Sequence, residues 1–400
     1  MVKNIEHDVA IIGGGPAGAA LGTMLAQAGH DVAIFERRKF PRFHVGESLV
    51  PAVNLTLEKL GVLDQMDGRG FPTKPGVQFF SPKGPSQPFY FSEVDDPRMH
   101  TTWQVLRSDF DAMLLDNAAA AGVKTTTESE VLETTADNGQ VTGIRVRGAD
   151  GATNEVGARV VVDASGQRSL VARRYGDHAH IDGLANASVF AHYHGATLDP
   201  GIDAGSTLIF RIDSSSWIWF IPLPNAVSIG LVAPAQSIWS LGGTPNEILD
   251  TAIAKCPPLA ERLTGAERTT EVHAVRDYSY RASRDGGPGW LLVGDALGFI
   301  DPMYSTGLLL TFLSTELATN AISEGLAKPD RRPDMNGFST EYQAAFEQFL
   351  VLVRAFYTPG FHFGQFAKSG EHRQGLVDLL TGIVGTREAN LVSRTLRELL

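Results

Sequence analysis

The chain has 400 residues, 43% hydrophobic and 20% charged, enough to bury the core of one large domain or of two to three interlocked ones. A formal net charge of −11, with no block of lysine or arginine, argues against a nucleic-acid or anionic-membrane surface. One cysteine, Cys256, rules out an internal disulfide and suits a reducing cytoplasm; it reads as a small buried apolar residue. No apolar run approaches the roughly 18 residues of a membrane span. The first such run, residues 9–12, breaks into glycines instead of continuing as a secretory signal, so a cytoplasmic protein is expected.

Residues 9–12 read as a buried parallel strand. Gly13, Gly15 and Gly18 follow with the spacing G-x-G-x-x-G, then the helix-compatible residues 19–28 and a helix stop at Gly29. A second apolar run, residues 31–35, ends in Glu36. In this arrangement Gly13 permits the tight turn, Gly15 lets backbone N–H groups approach a pyrophosphate, and Gly18 lets helix and strand pack closely. The helix N-terminus adds partial positive charge, and Glu36 can accept hydrogen bonds from an adenosine ribose. Ala17 and Arg37 belong to the same dinucleotide site.

Further along, residues 1–70, 106–175 and 285–330 alternate strand and helix signals. Residues 71–105 and 176–284 are rich in strand signals, as at 207–212 and 226–232. The expected architecture is α/β: a Rossmann-type nucleotide-binding domain carrying an inserted antiparallel β-sheet that forms the substrate wall, both within residues 1–330. Residues 331–400 form a C-terminal helical region. There Phe346, Phe349, Leu350, Leu352, Val353 and Phe356 make an apolar stripe of the kind that packs into a core. The glycine-broken aromatic stretch 358–364 is expected to end a helix.

Three separated segments carry a family resemblance. The apolar run 290–293 leads into Gly294-Asp295-Ala296, then Asp301-Pro302 and a helix from Gly307; Arg107 stands in Leu-Arg-Ser-Asp-Phe-Asp; and Asp163-Ala164-Ser165-Gly166 follows the run 160–162. On these the chain resembles, over residues 5–325, the FAD-dependent family built on the para-hydroxybenzoate hydroxylase fold. The resemblance implies FAD as cofactor, with Asp295 on its ribitol chain and Arg107 on its phosphates. It also implies Asp163 and Gly166 near the flavin, and Ser48, Pro302 and Gly307 in the same site.

Residues 217–222 read Trp217-Ile218-Trp219-Phe220-Ile221-Pro222. Two tryptophans two residues apart on a strand share a face and serve a core. The whole W-x-W-x-I-P pattern inside a flavin fold resembles the FADH2-dependent halogenases. That resemblance implies that reduced FAD and O2 form a C4a-hydroperoxide, that chloride or bromide attacks it to give hypohalous acid, and that a lysine relays the acid to an electron-rich ring. Trp217 and Trp219 would keep organic substrate away from the flavin. Gly46-Glu47-Ser48 followed by Phe71-Pro72-Thr73-Lys74-Pro75-Gly76 matches the lysine context of the phenol and pyrrole branch, making Lys74 the relay, with Lys83 as fallback. Thr306 and Gly307 would bind halide through their amides. Tyr304 stands where tryptophan halogenases place a Glu. The substrate is expected to be a phenol- or pyrrole-like ring, free or tethered to a carrier protein, with Phe79, Phe89, Phe356, Tyr357 and Phe361 as candidate wall residues. A separate flavin reductase would supply FADH2, and no metal is expected. A monooxygenase or a geranylgeranyl-reductase-like enzyme of the same fold is the alternative, and a catalytically silent flavin-binding protein the second.

Overall fold

The computed structural model describes residues 5–400 except 177, 241, 277, 329–331, 362–365 and 367–369. Strand β1 (His7–Ile12) buries its last four residues and ends at Gly13, whose φ of 105° turns the chain into helix α1 (Pro16–Gln27) and then β2 (Val32–Phe35). Strands β3 (Thr73–Lys74), β4 (Gly76–Ser81) and β5 (Thr102–Trp103) precede helix α2 (Arg107–Ala120) and β6 (Lys124–Thr126). An antiparallel ribbon follows, β7 (Glu130–Asp137), β8 (Gln140–Arg147) and β9 (Thr153–Asp163). Next come β10 (Asn186–His194), β11 (Thr207–Arg211), β12 (Trp217–Leu223), β13 (Ala226–Pro234), β14 (His273–Arg276) and β15 (Trp290–Leu292). Helices α3 (Gly307–Leu326), α4 (Thr340–Tyr357), α5 (Gly370–Thr381) and α6 (Arg387–Leu399) complete the chain.

The nucleotide-binding half is a parallel sheet in the order β15-β9-β1-β2-β6. Val9, Ala10 and Ile11 pair with Val160, Val161 and Val162, all buried, and cover on both faces explains why these strands are continuous apolar runs. The antiparallel ribbon was not anticipated within residues 106–175, which read as simple strand–helix alternation.

The second sheet runs β10-β13-β12-β11-β4. It is not wholly antiparallel as expected, since β11 and β4 run parallel, Thr207 facing Val77. Parallel neighbours need a long connection, and here the chain passes through the nucleotide-binding half between them. Alternation divides this sheet into two faces. Leu208, Phe210, Ile218, Phe220, Ile229 and Leu231 pack beneath helices Pro245–Ala254 and Pro257–Arg262, which the strand-rich reading of 176–284 missed. Ser188, Phe190, Thr207, Ile209, Trp217, Trp219 and Ile221 occupy the opposite face, turned to the nucleotide-binding half. The stripe on α4 is core as expected, Phe346, Phe349 and Leu352 being fully buried. This helix ends at Tyr357, just before the glycine-broken stretch, of which 362–364 lie outside the described residues. No described helix is long and apolar enough to cross a membrane.

Candidate active site

A continuous cavity runs from the first turn of α1, between the two halves, to the tryptophan face of the second sheet. At its nucleotide end, α1 starts at Gly15 with no side-chain cap and with Pro16 in its first turn, so its leading N–H groups face the cavity unclaimed by a side chain. A Cβ on Gly18 would lie 1.9 Å from the Gly13 carbonyl oxygen, which is the close helix–strand approach the spacing implied. Glu36 accepts from the Gly14 amide (2.8 Å) and the Arg38 amide (2.8 Å), which fixes its carboxylate at the end of β2.

Arg107 is buried and held in a fork by Asp111, with Nε–Oδ1 at 2.7 Å and Nη2–Oδ2 at 3.1 Å, while Nη1 donates to the Val45 carbonyl at 2.6 Å. Such a guanidinium is oriented before any anion arrives. Arg42, which the sequence reading did not single out, lies against the same place. Its Nη1 is 3.3 Å from Asp111, and its Nη2 would be 3.2 Å from a Cβ on Gly15. Asp295 lines the cavity from the turn Gly294–Ala296; burial raises its pKa to about 6 against the opposing pull of Arg107. FAD fits this donor set: an uncapped helix start and two arginines for the diphosphate, and a buried carboxylate for the ribitol hydroxyls.

Gly13, Gly15, Ala17, Glu36, Arg37, Ser48, Arg107, Gly166, Trp217, Trp219, Asp295, Pro302 and Gly307 all line this cavity. Gly18, Asp163, Thr306 and Lys74 stand one layer behind it. Asp163, expected near the flavin, has a fully buried carboxylate that accepts from the Ser165 amide (3.0 Å) and the Val171 amide (2.6 Å), shaping the turn that carries Gly166. Thr306 is the buried residue preceding α3 and makes no side-chain cap bond. It follows Ser305, whose φ of 58° bends the chain so that Ser305, Gly307 and Leu308 border the cavity. The 20-residue helix starts there without a side-chain cap, leaving its first N–H groups without side-chain partners.

The sheet wall is built around the two tryptophans, whose ring centroids are 6.1 Å apart. Trp217 Nε1 donates to the Tyr357 hydroxyl (2.8 Å), which donates to Asp301 Oδ2 (3.1 Å). Trp219 Nε1 donates to Ser228 Oγ (3.1 Å), and its ring lies across Gly230 on the neighbouring strand. A Cβ on Gly230 would meet that ring at 2.1 Å, a requirement invisible without the pairing register. Gly230→Ala should therefore push the indole into the cavity and cost about 1–3 kcal/mol as overpacking, read by thermal unfolding. None of the proposed wall residues Phe79, Phe89, Phe356, Tyr357 and Phe361 lines the cavity; Tyr357 acts behind it, on Trp217.

Lys74 is 1% exposed. Its Nζ donates to Ser48 Oγ (2.8 Å) and the Leu49 carbonyl (2.7 Å) and lies 5.3 Å from the Phe91 ring centroid. Ser48 Oγ is itself on the cavity wall, 3.0 Å from Thr207 Oγ1, so the amine reaches the cavity through one hydroxyl. Lys83, the fallback, is exposed on the β4 hairpin. Burial lowers the Lys74 pKa to about 7. The unfolded chain therefore holds a proton on Lys74 between pH 7 and about 10.4 that the folded chain does not, and the folded state gains stability as pH rises through that window. Wild type should gain more stability from pH 7 to pH 10 than Lys74→Met does, in denaturant titrations at both values.

Residues 6–311 match the family model described as FAD binding domain. The 1H-pyrrole-2-carbonyl-[peptidyl-carrier protein] brominase of Pseudoalteromonas luteoviolacea is 31% identical over 382 residues, 94% of this chain and 92% of that protein. The corresponding chlorinase of Pseudomonas fluorescens is 28% identical over 421 residues, 99% of this chain and 93% of the other. The solved structure of the flavin-dependent brominase Bmp2 superposes with a TM-score of 0.89 at 30% identity, covering 98% of each chain. The fold and its cleft are those of an FAD-binding flavoprotein, and the chain belongs to the flavin-dependent halogenase branch of that family. It is an oxidoreductase that uses FAD and halide.

Proposed function

We propose that the chain halogenates a pyrrole-2-carbonyl group, or a similarly electron-rich ring, carried on a carrier protein, with Lys74 as the relay and a separate flavin reductase as the source of reduced FAD. The observation that carries this reading is the Lys74 Nζ, buried and 2.8 Å from a hydroxyl on the wall of the flavin cavity. The tethered substrate is supported by the two carrier-protein halogenases that align with the chain nearly end to end.

FAD, when bound and reduced, supplies the oxygen activation that oxidises halide. The protein's residues do the rest. The amides at the start of α3 hold the halide beside the flavin. Phe190, Ile209, Trp217 and Trp219 keep water and bulky organic molecules from that end of the cavity. Lys74, with its pKa near neutrality, is available both as ammonium to hydrogen-bond hypohalous acid and as amine to take up the halogen. With reductase-supplied FADH2, oxygen and bromide, intact-mass measurement should show bromine on pyrrole-2-carbonyl-loaded carrier protein and none on free pyrrole-2-carboxylate. A hydroxylated product, or equal reaction of the free acid, would contradict the proposal.

A further inference from the structure

Replacement of a ring hydrogen by halogen leaves a proton to be removed. The residue before Ser305 is Tyr304, which is buried, directed at the Leu352 carbonyl (3.5 Å) and absent from the cavity wall. Among the described residues, the carboxylates on that wall are Glu36, Glu47 and Asp295. Glu36 is engaged by two amides at the far nucleotide end, and Asp295 sits on the cofactor turn before α3.

Glu47 is 2% exposed. Its Oε1 is 2.7 Å from His192 Nε2, and its Oε2 is buried with no hydrogen-bond partner. A buried carboxylate oxygen left unmatched is costly, and its place is telling. His192, Ser228 and Ile221 form one row across β10, β13 and β12, and Thr207, one residue past the Leu208–Phe220 pair, ends that row. Glu47 and Ser48 bridge its two ends, Glu47 to His192 and Ser48 to Thr207. The unpaired carboxylate oxygen thus belongs to the residue next to the one that holds Lys74.

We infer that Glu47, oriented by His192, is the base that accepts the ring proton. The inference rests on the Lys74 reading above. In the step, the carbon–halogen bond forms as the N–X bond of the haloamine made from Lys74 and hypohalous acid breaks, the halogen passing from +1 to −1 and the ring carbon being oxidised. The lysine nitrogen keeps the N–X electron pair. The ring C–H bond then breaks, its electron pair returns to the ring, and the proton goes to Glu47. Release of that proton from Glu47 to water, with uptake of one by the lysine nitrogen, restores both groups.

The test compares wild type, Glu47→Gln and His192→Asn, each confirmed to hold FAD by flavin absorbance. The assay supplies bromide, with ring-protonated and ring-deuterated pyrrole-2-carbonyl carrier protein as substrate and methionine to consume escaped hypobromous acid. Resorcinol replaces the carrier if wild type leaves it unmodified, so that failure of the tethered reading is seen separately. In Glu47→Gln the ratio of ring bromination to methionine oxidation should fall by about 100-fold, and a primary deuterium isotope effect absent from wild type should appear; His192→Asn should show the same signature, smaller. An unchanged ratio with no new isotope effect, or parallel loss of both products, would overturn the inference and leave Glu47 as a pin between the two halves.

Discussion

Lys74→Ala should retain FAD and still release oxidised bromide, yet lose ring halogenation by about 10³-fold, in the range for removal of a positioned proton-transfer group. The expectation follows from where the amine is. Its Nζ is enclosed by Ser48, the Leu49 carbonyl and Phe91, and the nearest cavity-lining atom it touches is the Ser48 hydroxyl. An alanine there leaves Ser48 in place, bonded to Thr207, so the wall survives while the relay does not. The measurement is ring bromination against trapped hypobromous acid, with flavin content as the control. Lys74→Arg should not rescue it, because a guanidinium cannot deprotonate in this range.

Trp217→Ala combined with Trp219→Ala should divert the enzyme from halogenation to peroxide release or ring hydroxylation, with a loss of halogenated product of about 10²-fold. The two indoles project from the sheet face that lines the cavity. Each is fixed by its own N–H, Trp217 to Tyr357 and Trp219 to Ser228. Removing both opens the cofactor end of the cavity to water and organic substrate, which compete with halide for the activated oxygen. Product analysis by mass, with peroxide measured in parallel, reads the outcome; an unchanged halogenation rate would remove the tryptophans from the mechanism.

Much of the fold lay in local patterns. The glycine spacing before α1, the apolar runs of the parallel strands and the stripe on α4 each encode their partner through periodicity alone. What escaped depended on pairing or on signals outweighed by their surroundings. Thr244-Pro245-Asn246-Glu247 is a capping box with proline in the first turn, and the structure forms it, but the strand-rich neighbourhood hid the helix it starts. The parallel pairing of β4 with β11 joins segments more than a hundred residues apart, which no local pattern specifies.

The site divides in the same way. Residues whose role is backbone geometry, such as Gly13 and Gly18, could be placed from spacing. The hydrogen bonds of Asp163 could not, because an aspartate facing a ligand and an aspartate clamping a turn have the same sequence context. Gly230 and His192 gain meaning only through register, the first under the Trp219 ring and the second against Glu47. Arg42 carries no spacing signal of its own, and its closeness to Asp111 and Gly15 marks it.

The most direct test of the relay is a pulse experiment on FAD-loaded enzyme. Wild type and Lys74→Ala are turned over with bromide in the absence of an acceptor ring, stripped of small molecules, and then mixed with pyrrole-2-carbonyl carrier protein. The account predicts that wild type delivers a stored pulse of bromine to the ring and that Lys74→Ala delivers none; equal delivery by both proteins would contradict it.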